Sequence, residues 1–236
     1  TQGYGQIVFL AGIFSASVYP WLVSAAQKED FERFQRLQTE AWRLCAAMGG
    51  WLVACIFVLI RPLVWSFFGE GYREDVDLIV QLVRVGAIAG AFMVAGDFHL
   101  RMLLALTQTR KYLLSLAGGF ALALPYLVWV LVEERGMLAL AWTLPLGVGL
   151  VTVVAVCLAP KTGILMRPTL FATAGCVLSS FAALPFSGVS FLSVLVQGSL
   201  VTGVYALWAW MTGLVGREDL DRLMAVGKPI PPDVVP

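Results

Sequence analysis

Charge is scarce in this chain. Asp, Glu, Lys and Arg make up only 13% of its 236 residues, where a water-soluble domain carries about 25%. Little surface is left for water. The net charge of +1 lacks the basic face that nucleic-acid binding requires, so no nucleic-acid partner is expected. There is one histidine, His99, and no HExxH, no GxSxG and no phosphate-binding glycine loop, which removes the common zinc-protease, serine-hydrolase and nucleotide-binding signatures. The four cysteines (Cys45, Cys55, Cys157, Cys176) lie in or beside apolar runs without CxxC spacing. They read as packing residues, not as a disulfide framework or zinc site. No catalytic residue, cofactor or metal set is expected, and no signal-peptide pattern opens the chain.

Hydrophobic residues, by contrast, make up 59% of the sequence. They fall into seven stretches, about residues 7–23, 44–68, 78–106, 112–132, 137–158, 169–186 and 191–215. Most are long enough to cross a ~30 Å hydrocarbon core as a helix. Inside lipid every backbone N–H and C=O must find a partner within the protein, and these stretches lack the period-two alternation of a barrel strand. The expected fold is therefore all-α, a polytopic transmembrane helix bundle of about seven spans in contact with the lipid bilayer. Residues 216–236 turn polar and Pro-rich and read as a disordered tail.

Between the first two spans, Ala26 to Arg43 places Phe31, Phe34, Leu37 and Ala41 at helical spacing, with charges on the other face. Two readings fit: an amphipathic helix lying at the membrane interface, or a solvated extension of the second span. Basic residues set the orientation. Twelve (Lys28, Arg33, Arg36, Arg43, Arg101, Arg110, Lys111, Lys161, Arg167, Arg217, Arg222, Lys228) fall on one set of alternate loops, against Arg61, Arg73 and Arg135 on the other, with Arg84 inside a span near that side. The positive-inside rule then puts the Lys28 loop and the C-terminal tail in the cytoplasm. The turns Gly69–Asp77 and Glu133–Gly136 face outward. Thr1 stands directly before an apolar run with no initiator Met, which reads as a fragment of a longer protein.

Order and local wording resemble one family. Tyr19-Pro20, then Ser24-Ala25-Ala26-Gln27, then EDFERFQRL at a span exit are followed by RPLVWSFFGEGY at residues 61–72 and by the turn Gln108-Thr109-Arg110-Lys111. Over about residues 5–160 this is similar to the C-terminal half of polysaccharide flippases, within the multidrug/oligosaccharidyl-lipid/polysaccharide exporter superfamily. The most specific element is Ile60 to Tyr72. The chain departs from the pattern at Thr107 to Arg110, where the family usually carries a Gly before its basic residue. The resemblance implies twelve to fourteen spans in two pseudo-symmetric halves around a central cavity, so an N-terminal half is expected to be missing here. It further implies transport of an undecaprenyl-pyrophosphate-linked oligosaccharide across the bacterial inner membrane by alternating access, for O-antigen or exopolysaccharide export. Polysaccharide polymerase or glycosyltransferases would be the protein partners.

Candidate site residues concentrate on the third span, which carries Gln81, Arg84, Asp97, His99 and Arg101. A charge near the bilayer centre costs about 2.5–3.5 kcal/mol on insertion scales, so such residues are expected at a cavity, a partner or an interface. Arg84 would face the cavity and hold pyrophosphate through its bidentate guanidinium, or else snorkel outward or pair with Asp77. Asp97 and Arg101 stand at i and i+4 and are expected to pair as an anchor near the inner edge. His99 lies about 200° round the helix from Asp97 and titrates in the physiological range when unperturbed, which makes it a candidate for proton coupling. Gly86, Gly90 and Gly96, among several alanines, suit close packing. On the seventh span Gln197, Ser199, Thr202 and Tyr205 read as helix–helix hydrogen-bonding groups, Trp208 and Trp210 as interface anchors. Pro125 and Pro145 mark bends. Two competing functions remain: a multidrug exporter, which needs an acidic cation-coupling site and is offered only Asp97, and a membrane scaffold without transport.

Overall fold

The computed structural model describes residues 19–68, 75–159, 163–186, 188, 190–216 and 219. These are helical almost throughout, with no strand among the described residues. The described residues open in a helix, α1, whose described part covers 19–27. It is followed by α2 (Phe31–Phe68), α3 (Val76–Ala105), α4 (Thr109–Val132), α5 (Met137–Leu158), α6 (Gly163–Ala183), a 3-10 turn at Leu184–Phe186, and α7 (Phe191–Met211). Among the described residues six helices are long and apolar enough to cross a membrane. The chain is a multi-pass membrane protein. The first hydrophobic run, 7–23, lies mostly outside the described residues, as do residues 69–74, 160–162 and the end of the tail.

Three boundaries differ from those read in the sequence. The charged segment Ala26 to Arg43 is not one helix. The chain breaks at Lys28 to Asp30, where Glu29 adopts φ 55°, and Asp30 then accepts from the Arg33 N–H at 3.0 Å, capping the next helix. From Phe31 the helix runs unbroken to Phe68, 38 residues in all, or about 57 Å at 1.5 Å per residue. That is nearly twice the hydrocarbon thickness. The segment is thus the extension of the second span, not a separate interfacial helix. Helix α6 starts at Gly163, ahead of the expected Thr169, and runs on through Pro168. Helix α7 stops at Met211 instead of Val215. There Gly213 takes φ 70°, and its N–H donates to the Trp210 carbonyl at 3.1 Å.

The helices form two groups of three. Helices α2, α6 and α7 pack on one another, as do α3, α4 and α5, and the long α2 also packs on α3 and so joins the groups. Along α2 the facing partner changes. Trp42 and Cys45 meet Phe98 of α3, Ala47 meets Ala172 of α6 with Tyr205 and Ala209 of α7, Ala54 meets Ala183 and Val201, and Val64 returns to Val76 and Val80 of α3. Near the α2 N-terminus, Phe34 is buried with Leu22 and Ala25 of α1, Met102, Leu103 and Ala105 of α3, and Ala159. Many contacts are alanine or glycine, as expected where lipid removes the hydrophobic drive between helices and close approach must supply dispersion instead. Large apolar side chains point outward, Phe67 and Val132 among them. In water such a surface would aggregate. In a bilayer it is the solvated face.

Candidate functional site

Helix α3 carries all five residues that the sequence singles out, but they do not converge. Arg84 and Asp97 stand 13 residues apart, about 20 Å along the axis. Three separate environments result.

At one end, Arg84 is half-buried against α2. Its Nε and one terminal nitrogen both donate to the Phe57 carbonyl, at 3.2 and 2.9 Å. Its guanidinium carbon lies 5.7 Å from the centre of the Phe57 ring. Pro62 lies in the next turn of α2 and, having no N–H, leaves the neighbouring Val58 carbonyl without its helical donor. Arg84 inserts its donors one residue earlier, and the Ser66 hydroxyl returns to the Pro62 carbonyl at 2.8 Å. Asp77 is not the partner of Arg84. It pairs with Arg61 of α2 at 3.3 Å, both side chains being largely exposed. Arg61 also lies within electrostatic reach of Arg84, so two guanidinium groups gather at this end of the α2–α3 contact. Gln81, one turn earlier, is exposed.

In the second environment His99 is buried. Its Nδ1 stands 2.7 Å from the Ala95 carbonyl one turn back. The ring meets Trp42 of α2 edge-on with centroids 5.0 Å apart, and Phe98 at 5.8 Å. The Nδ1 contact fixes the N–H on that nitrogen. Trp42 in turn donates its indole N–H to the Thr169 hydroxyl of α6 at 3.0 Å. His99 thus belongs to a seam of rings that ties α3 to α2 and, through Trp42, to α6. The third environment is the ion pair of Arg101 Nε with Asp97 at 2.8 Å, both groups partly exposed.

Several polar ties escaped the sequence reading. Trp208 was expected as an interface anchor, but its indole donates to the Phe171 carbonyl of α6 at 2.8 Å. The helix–helix hydrogen bond expected at Thr202 is made: its hydroxyl accepts from the Trp51 indole of α2 at 3.2 Å. Arg43 binds both carboxylate oxygens of Asp219, at 2.9 and 2.7 Å, and Asp219 also accepts from the Gly216 N–H at 2.7 Å. Asp219 is buried, so the start of the polar tail is pinned to α2. Gln197 donates to the Phe186 carbonyl and the Ser193 hydroxyl, both at 2.8 Å, knotting the turn between α6 and α7. Tyr205 is buried, and its hydroxyl finds no hydrogen-bond partner among the described residues, where a helix–helix bond was expected. Spacing within one helix carries no signal for a bond to another helix's carbonyl, which is why the indole and guanidinium ties were not legible.

No family model, no curated protein and no solved structure matches this chain. Among the described residues no group of three or more His, Cys, Asp or Glu side chains is placed to hold a metal ion.

Proposed function

We propose that the chain is the C-terminal half of an inner-membrane transporter that moves an oligosaccharide linked to undecaprenyl pyrophosphate to the outer leaflet by alternating access, without covalent chemistry. Arg84 is the observation that carries the reading. It is an always-charged group inside an apolar span, and the acceptor it binds is a neutral carbonyl, so that contact leaves its charge uncancelled. A lone structural tie to a carbonyl would be made as well by a neutral donor at far lower insertion cost. A guanidinium is the group best matched to a phosphate, through paired N–H donors. Arg61 nearby is paired with Asp77, so the uncancelled charge at this end is that of Arg84. The single strong junction between the two groups of helices, α2 on α3, runs through Arg84 at one end and the Trp42–His99 rings at the other, so a relative movement of the groups would be felt at both.

A multidrug exporter coupled to cations is less well supported, because Asp97 is engaged with Arg101. Coupling through His99 would require water at a ring that is 2% exposed. The proposal is tested in cells that express this protein and carry a surface polysaccharide. Depleting it is expected to strip the surface polymer and leave lipid-linked repeat units on the cytoplasmic leaflet. Normal surface polymer after depletion would refute it, and drug sensitivity alone would favour the exporter.

A further inference from the structure

Helix α4 is the least covered of the six spans, with Ser115, Gly119 and Val130 as its buried residues. Along its outer side runs a shallow groove lined by Ala121, Pro125, Val128, Trp129, Val132 and Glu133. These positions recur at helical spacing, so the groove follows one face of the helix. From residue 121 to residue 133 it is about 18 Å long, close to half of the ~30 Å hydrocarbon core. It therefore reaches from the membrane surface to about the midplane, the depth of one leaflet.

The polar end is built differently from the rest. Glu133 lines the groove itself. Arg135 folds back over the Trp129 ring, 4.8 Å from its centre, and pairs with Glu133. Glu134 stands between them in the turn, exposed, at φ 47°. The end thus carries two carboxylates and one guanidinium, with a net charge of −1. An apolar slot one leaflet deep asks for an acyl chain. A polar end with both signs and a negative excess asks for a headgroup that brings an ammonium as well as a phosphate, and it repels an anionic one.

We propose that this face of α4 is a binding groove for a zwitterionic aminophospholipid of the phosphatidylethanolamine type, with one acyl chain along Ala121 to Val132, the ammonium at Glu133 and the phosphate at Arg135. The inference does not depend on the transport reading.

The test uses the full chain reconstituted in phosphatidylcholine vesicles that contain equal mole fractions of dibrominated phosphatidylethanolamine or dibrominated phosphatidylglycerol. The emission of Trp129 is obtained as the difference between the wild type and Trp129→Phe, after circular dichroism has established equal helix content. Trp129 should be quenched at least twofold more strongly by the brominated ethanolamine lipid. Glu133→Gln combined with Glu134→Gln should abolish that preference while leaving quenching itself in place. Equal quenching of the wild type by the two lipids would overturn the proposal in favour of ordinary bilayer contact. Quenching by neither would overturn it in favour of another helix or a second copy on this face.

Discussion

Both three-helix groups are built around a glycine pair, and the two pairs are used differently. In α2 the pair is Gly49-Gly50, in α4 it is Gly118-Gly119. In each, the first glycine meets nothing within 4 Å of where a Cβ would stand, and the second sits in the helix contact. Gly50 makes room for the phenol of Tyr205 of α7, with the Ala172 carbonyl of α6 also 3.0 Å from where a Cβ would stand, and Gly175 of α6 admits the Trp208 ring, a Cβ there standing 2.5 Å from it. In the α2–α6–α7 group, then, glycine admits an aromatic side chain, and indole or guanidinium groups add polar ties around it. Gly119 instead lets α4 lie directly on the Val151 backbone of α5. Gly96 of α3 makes room for a small side chain, the Thr152 hydroxyl, which donates toward the Phe92 carbonyl at 2.9 Å and the Val148 carbonyl at 2.8 Å. The lesson is that small residues serve two packing strategies in lipid: a notch for a large amphipathic ring, or backbone contact with little else. A ring can tilt to accept an intruding methyl group. A backbone cannot.

That difference predicts an order of effects. Gly119→Ala should be the most damaging, costing about 3 kcal/mol, because one helix must move off the other. Gly118→Ala should be neutral or stabilise by up to about 1 kcal/mol through helix propensity. SDS titration of the folded protein in mild detergent reads both, and equal effects for the neighbours would break the account of the α4–α5 contact. Asp219→Asn comes next. It leaves the partly buried Arg43 without its carboxylate, and a loss of about 2 kcal/mol is expected, less than for a fully buried pair because Arg43 retains some solvent. Trp208→Phe keeps the ring in its glycine notch and removes the bond to the Phe171 carbonyl, for about 1 kcal/mol. Thr152→Val should cost the least of the polar substitutions, about 0.6 kcal/mol, since a single hydroxyl proton is shared between two carbonyls that already have helical donors. If Thr152→Val proved worse than Trp208→Phe, the distinction between a polar-tied and a contact-tied group would fail.

What was legible in the sequence follows the same physics. The all-α bundle and most spans could be read, because a bilayer imposes length and polarity on a segment without reference to its neighbours. Asp97 and Arg101 meet because i,i+4 geometry is internal to one helix. The continuous α2 was not resolved by pattern alone, since an interfacial helix and a protruding one share the same amphipathic spacing. The two glycine pairs look alike in sequence, and only the neighbouring helix distinguishes Gly119 from Gly118. For Arg84 the intramembrane charge was visible but its contact was not, because a main-chain carbonyl beside a proline has no residue letter of its own.

The central claim is that Arg84 supplies charge to an anionic substrate and not merely a donor to Phe57. The direct test is Arg84→Gln, which removes the charge and keeps an N–H able to reach that carbonyl. Export of surface polysaccharide would be measured at matched protein level and matched SDS stability. The account predicts at least a tenfold loss of export with stability unchanged. Wild-type export by the stable Gln variant would contradict it and leave Arg84 as a structural tie between α2 and α3.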